Sequence, residues 1–200
     1  MDNYLIVGLG NPGILYENTR HNFGFRVIKA LGKKYGFKFT KEKKFDSKIA
    51  KGRILDFEII LLMPLTYMNN SGEAVKKVVK FFKIDISKIL IVVDDADIPF
   101  EEFRIKDDSS SAGHKGLGSI EKCLNTQKYA RLRLGIGRKQ KLLKSYVLDR
   151  FTKEEKEKLP SLEKKAIEFI ELWLEKGTQI AANKANVRLK KVKKNEEETK

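Results

Sequence analysis

The sequence predicts an α/β fold with a largely parallel central sheet. Apolar, β-branched runs of strand length alternate with segments whose apolar residues recur at helical spacing. The run Ile89-Leu90-Ile91-Val92-Val93 is apolar throughout, as a strand buried on both faces must be. A chain of 200 residues suits one domain with one sizeable core.

Residues 4–8 read as a buried strand ending in Gly8-Leu9-Gly10-Asn11-Pro12-Gly13. Phe23, Val27, Ile28, Leu31 and Tyr35 then mark a helix that Gly36 stops. Residues 38–44 form a basic connector. Residues 49–54 and 57–63 read as neighbouring strands, the second ended by Pro64. The polar loop 66–72 places Ser71 to cap a helix whose inner face holds Ala74, Val75, Val78, Val79 and Phe82.

The central strand 89–93 runs into Asp94-Asp95-Ala96-Asp97-Ile98-Pro99. A short strand follows at 103–106, then a Ser- and Gly-rich stretch at 107–116 that reads as a mobile loop. Leu117, Ile120 and Leu124 form one helix face, and Cys123 falls in the same apolar pattern, which places it in the core. Residues 130–137 alternate as a strand does, with Arg131 and Arg133 on one face.

Thr152-Lys153-Glu154-Glu155 has capping-box form. A stripe from Leu159 to Leu174 continues the helix, with Pro160 expected to kink or restart it and Gly177 to end it. Residues 181–187 add a last helical turn. Residues 188–200 are charged and lack an apolar face, so a domain over 1–187 with a disordered tail is expected.

An apolar content of 41% beside 34% charged residues is that of a soluble globular protein. No apolar run approaches the ~20 residues of a membrane span. The N-terminus shows no secretory or transit pattern. One Cys excludes a disulfide framework and a Cys-based zinc cluster. These features point to the cytosol. The net charge is +15; the tail holds six basic and three acidic residues, so +12 sits on the folded body. A basic body argues for a polyanionic partner, most simply nucleic acid, over lysine enrichment for solubility.

Polar groups recur at strand ends and in the loops beside them: Asn11, His21, Asn69, Asp94 and His114. Parallel strands would bring them to one edge of the sheet. The pair His21 and Asp94 stands out, because a carboxylate on one ring nitrogen fixes the tautomer and leaves the other as a base. No G-x-S-x-G elbow is present, so the nucleophile expected is water. Asn11 and Asn69 supply amides that position this water or meet a developing oxyanion.

Two rivals are weaker. Gly8-x-Gly10-x-x-Gly13 fits a dinucleotide fingerprint, but Pro12 removes an N–H that such a loop needs. Asp94-x-x-Asp97 with His114 offers metal-ligand types without a close-set ligand motif.

Taken in order, Val7-Gly8-Leu9-Gly10-Asn11-Pro12-Gly13, Thr19-Arg20-His21-Asn22-Phe23-Gly24, Tyr67-Met68-Asn69-Asn70-Ser71-Gly72, Asp94-x-x-Asp97-Ile98-Pro99, Gly113-His114-Lys115-Gly116-Leu117 and Arg131-Leu132-Arg133-Leu134-Gly135-Ile136-Gly137 resemble bacterial-type peptidyl-tRNA hydrolases, from about residue 4 to 187. The resemblance implies a single α/β domain with a twisted mixed sheet between helices. It also implies hydrolysis of the ester joining a nascent peptide to tRNA, by a monomer needing no metal or organic cofactor.

It implies His21 as general base, Asp94 as the carboxylate orienting it, and Asn11 and Asn69 as groups holding the water and the peptide carbonyl. Tyr16 and Met68 would line the cleft, with His114 beside the peptide channel. Lys106 and Arg133 would clamp the tRNA 5′ phosphate. Lys115 departs from the family's usual Asn; a cationic donor there can meet the peptide or the terminal ribose-phosphate. A non-catalytic RNA-binding module on the same fold is the remaining alternative.

Overall fold

The alternation of strands and helices builds one mixed sheet, seen in a computed structural model that describes residues 3–138 and 143–187. In chain order the elements are β1 (Asn3–Gly8), α1 (Phe23–Lys34), β2 (Thr40–Glu42), β3 (Ser47–Ile54), β4 (Phe57–Pro64), α2 (Ser71–Phe82), β5 (Ile89–Asp95), β6 (Phe103–Lys106), α3 (Lys115–Leu124), β7 (Ala130–Gly135), α4 (Leu143–Leu148) and α5 (Lys153–Ala185). The strand order is β2-β3-β4-β1-β5-β7-β6. β4, β1, β5 and β7 run parallel, and β2, β3 and β6 add antiparallel edges.

Each central strand feeds two cores, because its side chains alternate between faces. Ile6, Leu90, Val92, Leu132 and Leu134 meet α1 and α5, while Leu5, Val7, Ile89, Ile91 and Val93 meet α2 and α3. The same alternation sends Asp94 toward the α1 side, and Asp95 and Arg133 toward the α3 side.

β1 has neighbours on both sides: one connection carries the chain from β1 to β4, and the next carries it back across β1 to β5. The loop leaving β1 leads to α1 on one face and the loop leaving β4 leads to α2 on the other, so a crevice opens between them at the C-terminal ends of these strands. α1 can lie close behind that crevice because Gly24 has no side chain. A Cβ there would stand 2.4 Å from the Val92 carbonyl oxygen and 2.6 Å from the Leu9 nitrogen. Gly8 meets Gly24 in the same contact. Gly8 and Gly10 thus serve helix–sheet packing, and six residues separate Gly13 from the turn Arg20–Asn22 that precedes α1, unlike a dinucleotide-binding turn.

Several expectations need correction. The basic connector contains the edge strand β2. Ser71 does not cap α2: its hydroxyl donates back to the Met68 carbonyl at 2.9 Å, and the Gly72 N–H is met by Ser119 Oγ at 2.9 Å instead. Pro160 lies inside α5 without breaking its dihedrals, since its ring suits a helical φ and its missing bond falls on an exposed turn. The break comes at Gly177 (φ 77°), after which the helix resumes to Ala185. The strand over 130–137 ends at Gly135.

Cys123 is only partly buried. Its Sγ lies 3.3 Å from Glu73 Oε1, and desolvation and that carboxylate push the thiol up. The loop over 107–116 is tied at Ser110, Ser111 and Asp108 by bonds to Arg133, His114 and Gln127. The expected tail at 188–200 lies outside the described residues. No helix among them is long and apolar enough to cross a membrane.

Gly24→Ala is expected to destabilise the protein by about 2–3 kcal/mol, because the methyl meets backbone that cannot swing aside. Urea unfolding measures it; a loss below about 0.5 kcal/mol would show that α1 can shift away.

Candidate active site

A cavity of about 590 Å³ opens at the C-terminal ends of β1, β4 and β5. Its polar floor comes from four places in the chain. Asn11 follows β1, His21 lies in the turn Arg20–Asn22 before α1, Asp94 ends β5, and His114 caps α3. Leu143, Val147 and Leu148 of α4 form an apolar wall facing Tyr67.

Asp94 is the centre of this floor. Its side chain is 1% exposed, and His21 Nδ1 lies 3.0 Å from both of its oxygens. His114 Nε2 lies 3.3 Å from Oδ1. The neighbours of each ring settle where its proton sits. His114 Nδ1 accepts the backbone N–H groups of Gly116 and Leu117 at 3.2 and 3.3 Å, so its proton is on Nε2 and donates to Asp94. His21 likewise donates from Nδ1, which leaves the Nε2 lone pair for the cavity.

Burial alone would raise the pKa of Asp94. The charge of His21 and the hydrogen bonds from both imidazoles outweigh it and hold the carboxyl well below the usual carboxylate range. Burial pulls His21 down, but the adjacent Asp94 charge and hydrogen bond carry it above the ordinary value, against a smaller opposing push from Lys115.

His21, Asp94 and His114 present ligand atoms within 4.8 Å of one another, the one such cluster among the described residues. The donor set does not suit a cation. A metal on His114 Nε2 would need that nitrogen bare while Nδ1 is already accepting, leaving the ring without a proton. Asp97 does not join the cluster and pairs with Arg138 at 3.2 Å.

The amides are unequal. Asn22 clamps the Asn11 backbone, with Asn11 N donating to Asn22 Oδ1 at 2.8 Å and Asn22 Nδ2 donating to Asn11 O at 3.0 Å. Asn11 Oδ1 accepts Met68 N at 2.8 Å, so the amide atom left for the cavity is the donor Nδ2. Asn69 is exposed at the rim, in the turn Met68–Asn70. Buried Met68 lines the cavity. Tyr16 is not among the lining residues; it stacks edge-on against Tyr67, with ring centres 6.3 Å apart.

Lys115, the first residue of α3, is exposed and lines the cavity. Arg133 reaches the cavity with its guanidinium engaged, Nη1 on Asp95 at 2.9 Å and Nη2 on the Ser110 carbonyl at 2.6 Å. Lys106 stands exposed at the end of β6, in register with the fully buried Arg131 rather than with Arg133. The structure does not bring Lys106 to the cavity.

Sequence reading assigned nothing to Arg20, yet its side chain is 3% exposed beside the histidine. It donates to Glu155 at 2.6 Å and lies 4.4 Å over the Tyr146 ring and 5.5 Å from that of Phe151. Glu155 also closes the capping box of α5. Arg20 therefore pins the turn that carries His21 to the α4–α5 corner that carries the apolar wall. Only its place next to a histidine before a helix hinted at it.

A family model described as peptidyl-tRNA hydrolase matches residues 5–196. The chain is similar to the peptidyl-tRNA hydrolase of Carboxydothermus hydrogenoformans, at 46% identity over 175 residues, 87% of this chain and 93% of that protein. It is similar to that of a Thermoanaerobacter species at 43% identity over 183 residues, 92% and 99% of the two chains. A crystal structure of peptidyl-tRNA hydrolase from Acinetobacter baumannii matches with a TM-score of 0.87 at 34% identity, covering 92% of this chain and 94% of that one. An Arabidopsis thaliana 5′-methylthioadenosine nucleosidase, 10% identical with a TM-score of 0.51 over 85% and 96% of the chains, shares the fold alone.

Breaking the Arg20 clasp should be costly. Arg20→Ala leaves Glu155 without its cationic partner and is expected to lose about 3–5 kcal/mol in urea unfolding. Arg20→Lys keeps the charge but not the flat stack on Tyr146, and is expected to lose less. Equal losses would assign the clasp to stacking alone.

Proposed function

The chain belongs to the peptidyl-tRNA hydrolase family, a family of hydrolases, and we propose that His21 is the general base that activates water against the ester between peptide and tRNA. The observation that carries this reading is the 3.0 Å contact of His21 Nδ1 with the buried Asp94 carboxylate at the floor of the cavity. It leaves Nε2 as the basic atom.

Water gives a proton to Nε2 as its oxygen attacks the ester carbonyl, and Asp94 stabilises the imidazolium that results. Collapse of the tetrahedral intermediate breaks the bond to the ribose oxygen, which takes the proton back from Nε2. The products are tRNA with a free terminal hydroxyl and a peptide carboxylic acid, which gives its remaining proton to solvent to become the carboxylate. Asn11 offers its Nδ2 donor to the cavity, which suits the carbonyl oxygen or the water oxygen. Asn69, at the rim, is the second amide for the same tasks. Lys115 supplies a cation for the oxyanion or the terminal phosphate.

Met68 supports the cleft wall directly, and Tyr16 does so through Tyr67. His114 meets the peptide side of the cavity while its Nε2 holds Asp94. Lys106 and Arg133 meet the tRNA 5′ phosphate in this reading, Lys106 as an exposed cation and Arg133 through whatever its bonds to Asp95 and Ser110 leave accessible. We place the reaction in the cytoplasm, with tRNA and the nascent peptide as partners, carried out by a monomer.

His21→Ala is expected to lower kcat about 10²–10⁴-fold, while the Kd for uncharged tRNA stays within about twofold by filter binding. Turnover near that of the wild type would remove His21 from the reaction.

A general base must be neutral to act, so kcat/KM should fall as pH drops through the pKa of His21, above the ordinary ~6.5. In Asp94→Asn the carboxylate no longer holds the imidazolium while burial still opposes it, and the acid limb should move to lower pH. A pH profile of kcat/KM decides this. An unmoved limb would mean that another group titrates.

A further inference from the structure

Charge is spread unevenly over the fold. Residues 38–53, from β2 through β3, hold seven basic and two acidic residues, net +5. Residues 71–83, covering α2, hold four and one, net +3. Together these segments carry +8 of the chain's +15. α5, on the other face of the sheet, holds seven of each sign and is neutral.

The two basic segments form one surface. Lys77 bridges Asp46 at 2.6 Å, and the Phe45 ring meets those of Phe81 and Phe82 at 5.2 and 5.7 Å. Lys44 lies 4.4 Å over Phe81, Lys51 lies 4.2 Å over Phe82, and Phe81 itself is 58% exposed. Lys43, Lys76 and Lys80 are exposed and hold no ion-pair partner among the described residues. Lysines on edge strands commonly keep sheets from pairing, which accounts for Lys41 on β2 but not for the outward lysines of α2.

The surface adjoins the cavity. Leu65 N donates to the Asp46 carbonyl at 2.7 Å, so the turn Lys43–Phe45 lies beside the segment running into Met68 and Asn69. Lys48 acts electrostatically on Glu17, which follows Tyr16 in the chain. A polyanion with its end in the cavity can therefore continue over α2 and β3.

We propose that the surface formed by α2 and the β2–β3 edge is a second RNA-binding face, which holds backbone phosphates of the tRNA while its 3′ end occupies the cavity. The proposal rests on peptidyl-tRNA as the substrate, not on the roles given to His21 and Asp94. It is separate from Lys106 and Arg133, which lie on the β6–β7 edge at the other end of the sheet. Phosphate contacts of this kind carry no sequence preference and weaken with salt.

The test compares two double variants with the same change in net charge, Lys43→Glu/Lys80→Glu on this face and Lys164→Glu/Lys176→Glu on α5. Kinetics on N-acetyl-aminoacyl-tRNA are followed from about 50 to 200 mM salt. The first pair is expected to raise KM about tenfold and to flatten the slope of log(kcat/KM) against log[salt] by about 1.5, at ~0.7–0.9 per lost contact. The α5 pair should stay within about twofold of wild type. An N-blocked aminoacyl ester of a single nucleoside should be hydrolysed equally by all.

Equal effects of the two pairs, or no effect of the first, would overturn the proposal. A matching loss on the short ester would also overturn it, since the damage would then lie in the cavity. Filter binding of uncharged tRNA to the same variants reads this face even if the hydrolytic roles of His21 and Asp94 fail.

Discussion

A carboxylate with almost no access to water needs partners for its charge, and Asp94 finds them in two imidazoles rather than in an arginine. An unpaired carboxylate at that depth would cost several kcal/mol or would protonate. The two N–H donors keep it ionised, and each is held in turn: His21 by the turn that opens α1, His114 by the first N–H groups of α3. One buried charge thus joins the end of the central strand to the entries of two helices on opposite faces. The same bonds decide which ring nitrogen is left bare, so the requirement that stabilises the interior also leaves His21 Nε2 open to the cavity.

The sheet makes this meeting possible. β1 stands where the strand order reverses, and the loops after β1 and β4 separate there toward α1 and α2. Close backbone packing at Gly24 lets α1 begin against both strands. A bulkier residue would push the turn carrying His21 outward, and the ring would lose its reach to Asp94. From the other side, Arg20 fastens that turn to the α4–α5 corner. The floor and the apolar wall of the cavity are therefore positioned through adjacent residues of one short turn.

The electrostatics follow the same division of faces. α5 alternates its charges and lies against the α1 core with no net charge, as suits a long helix whose work is packing. The excess of positive charge lies on the other face and along the β2–β3 edge. The cavity opens between them with Lys115 at its rim, so the field of the body grows toward the side on which α2 and α3 stand.

Local pattern was enough for every strand but the exposed edge strand β2, for the main helices, the capping box at Thr152 and the ordered motifs around Asn11, His21, Asp94 and His114, because burial imposes a period of 2.0 or 3.6 on the chain. It was also enough to single out His21 and Asp94 as a pair. It could not place Lys106 in register with Arg131, engage Arg133 with Asp95, set Tyr16 behind Tyr67, or bury Arg20 on Tyr146. Nor could it tell which nitrogen of His114 accepts, or that Ser119 rather than Ser71 would serve the start of α2. Apart from the His114 ring, which its own helix start orients, those outcomes join residues dozens of positions apart, and each depends on which groups the packed sheet leaves within hydrogen-bond reach. The sequence by itself determined which residue types stand at the ends of the strands; the tertiary structure decided which of them share a proton, because a hydrogen bond depends on distance and direction that no spacing along the chain contains.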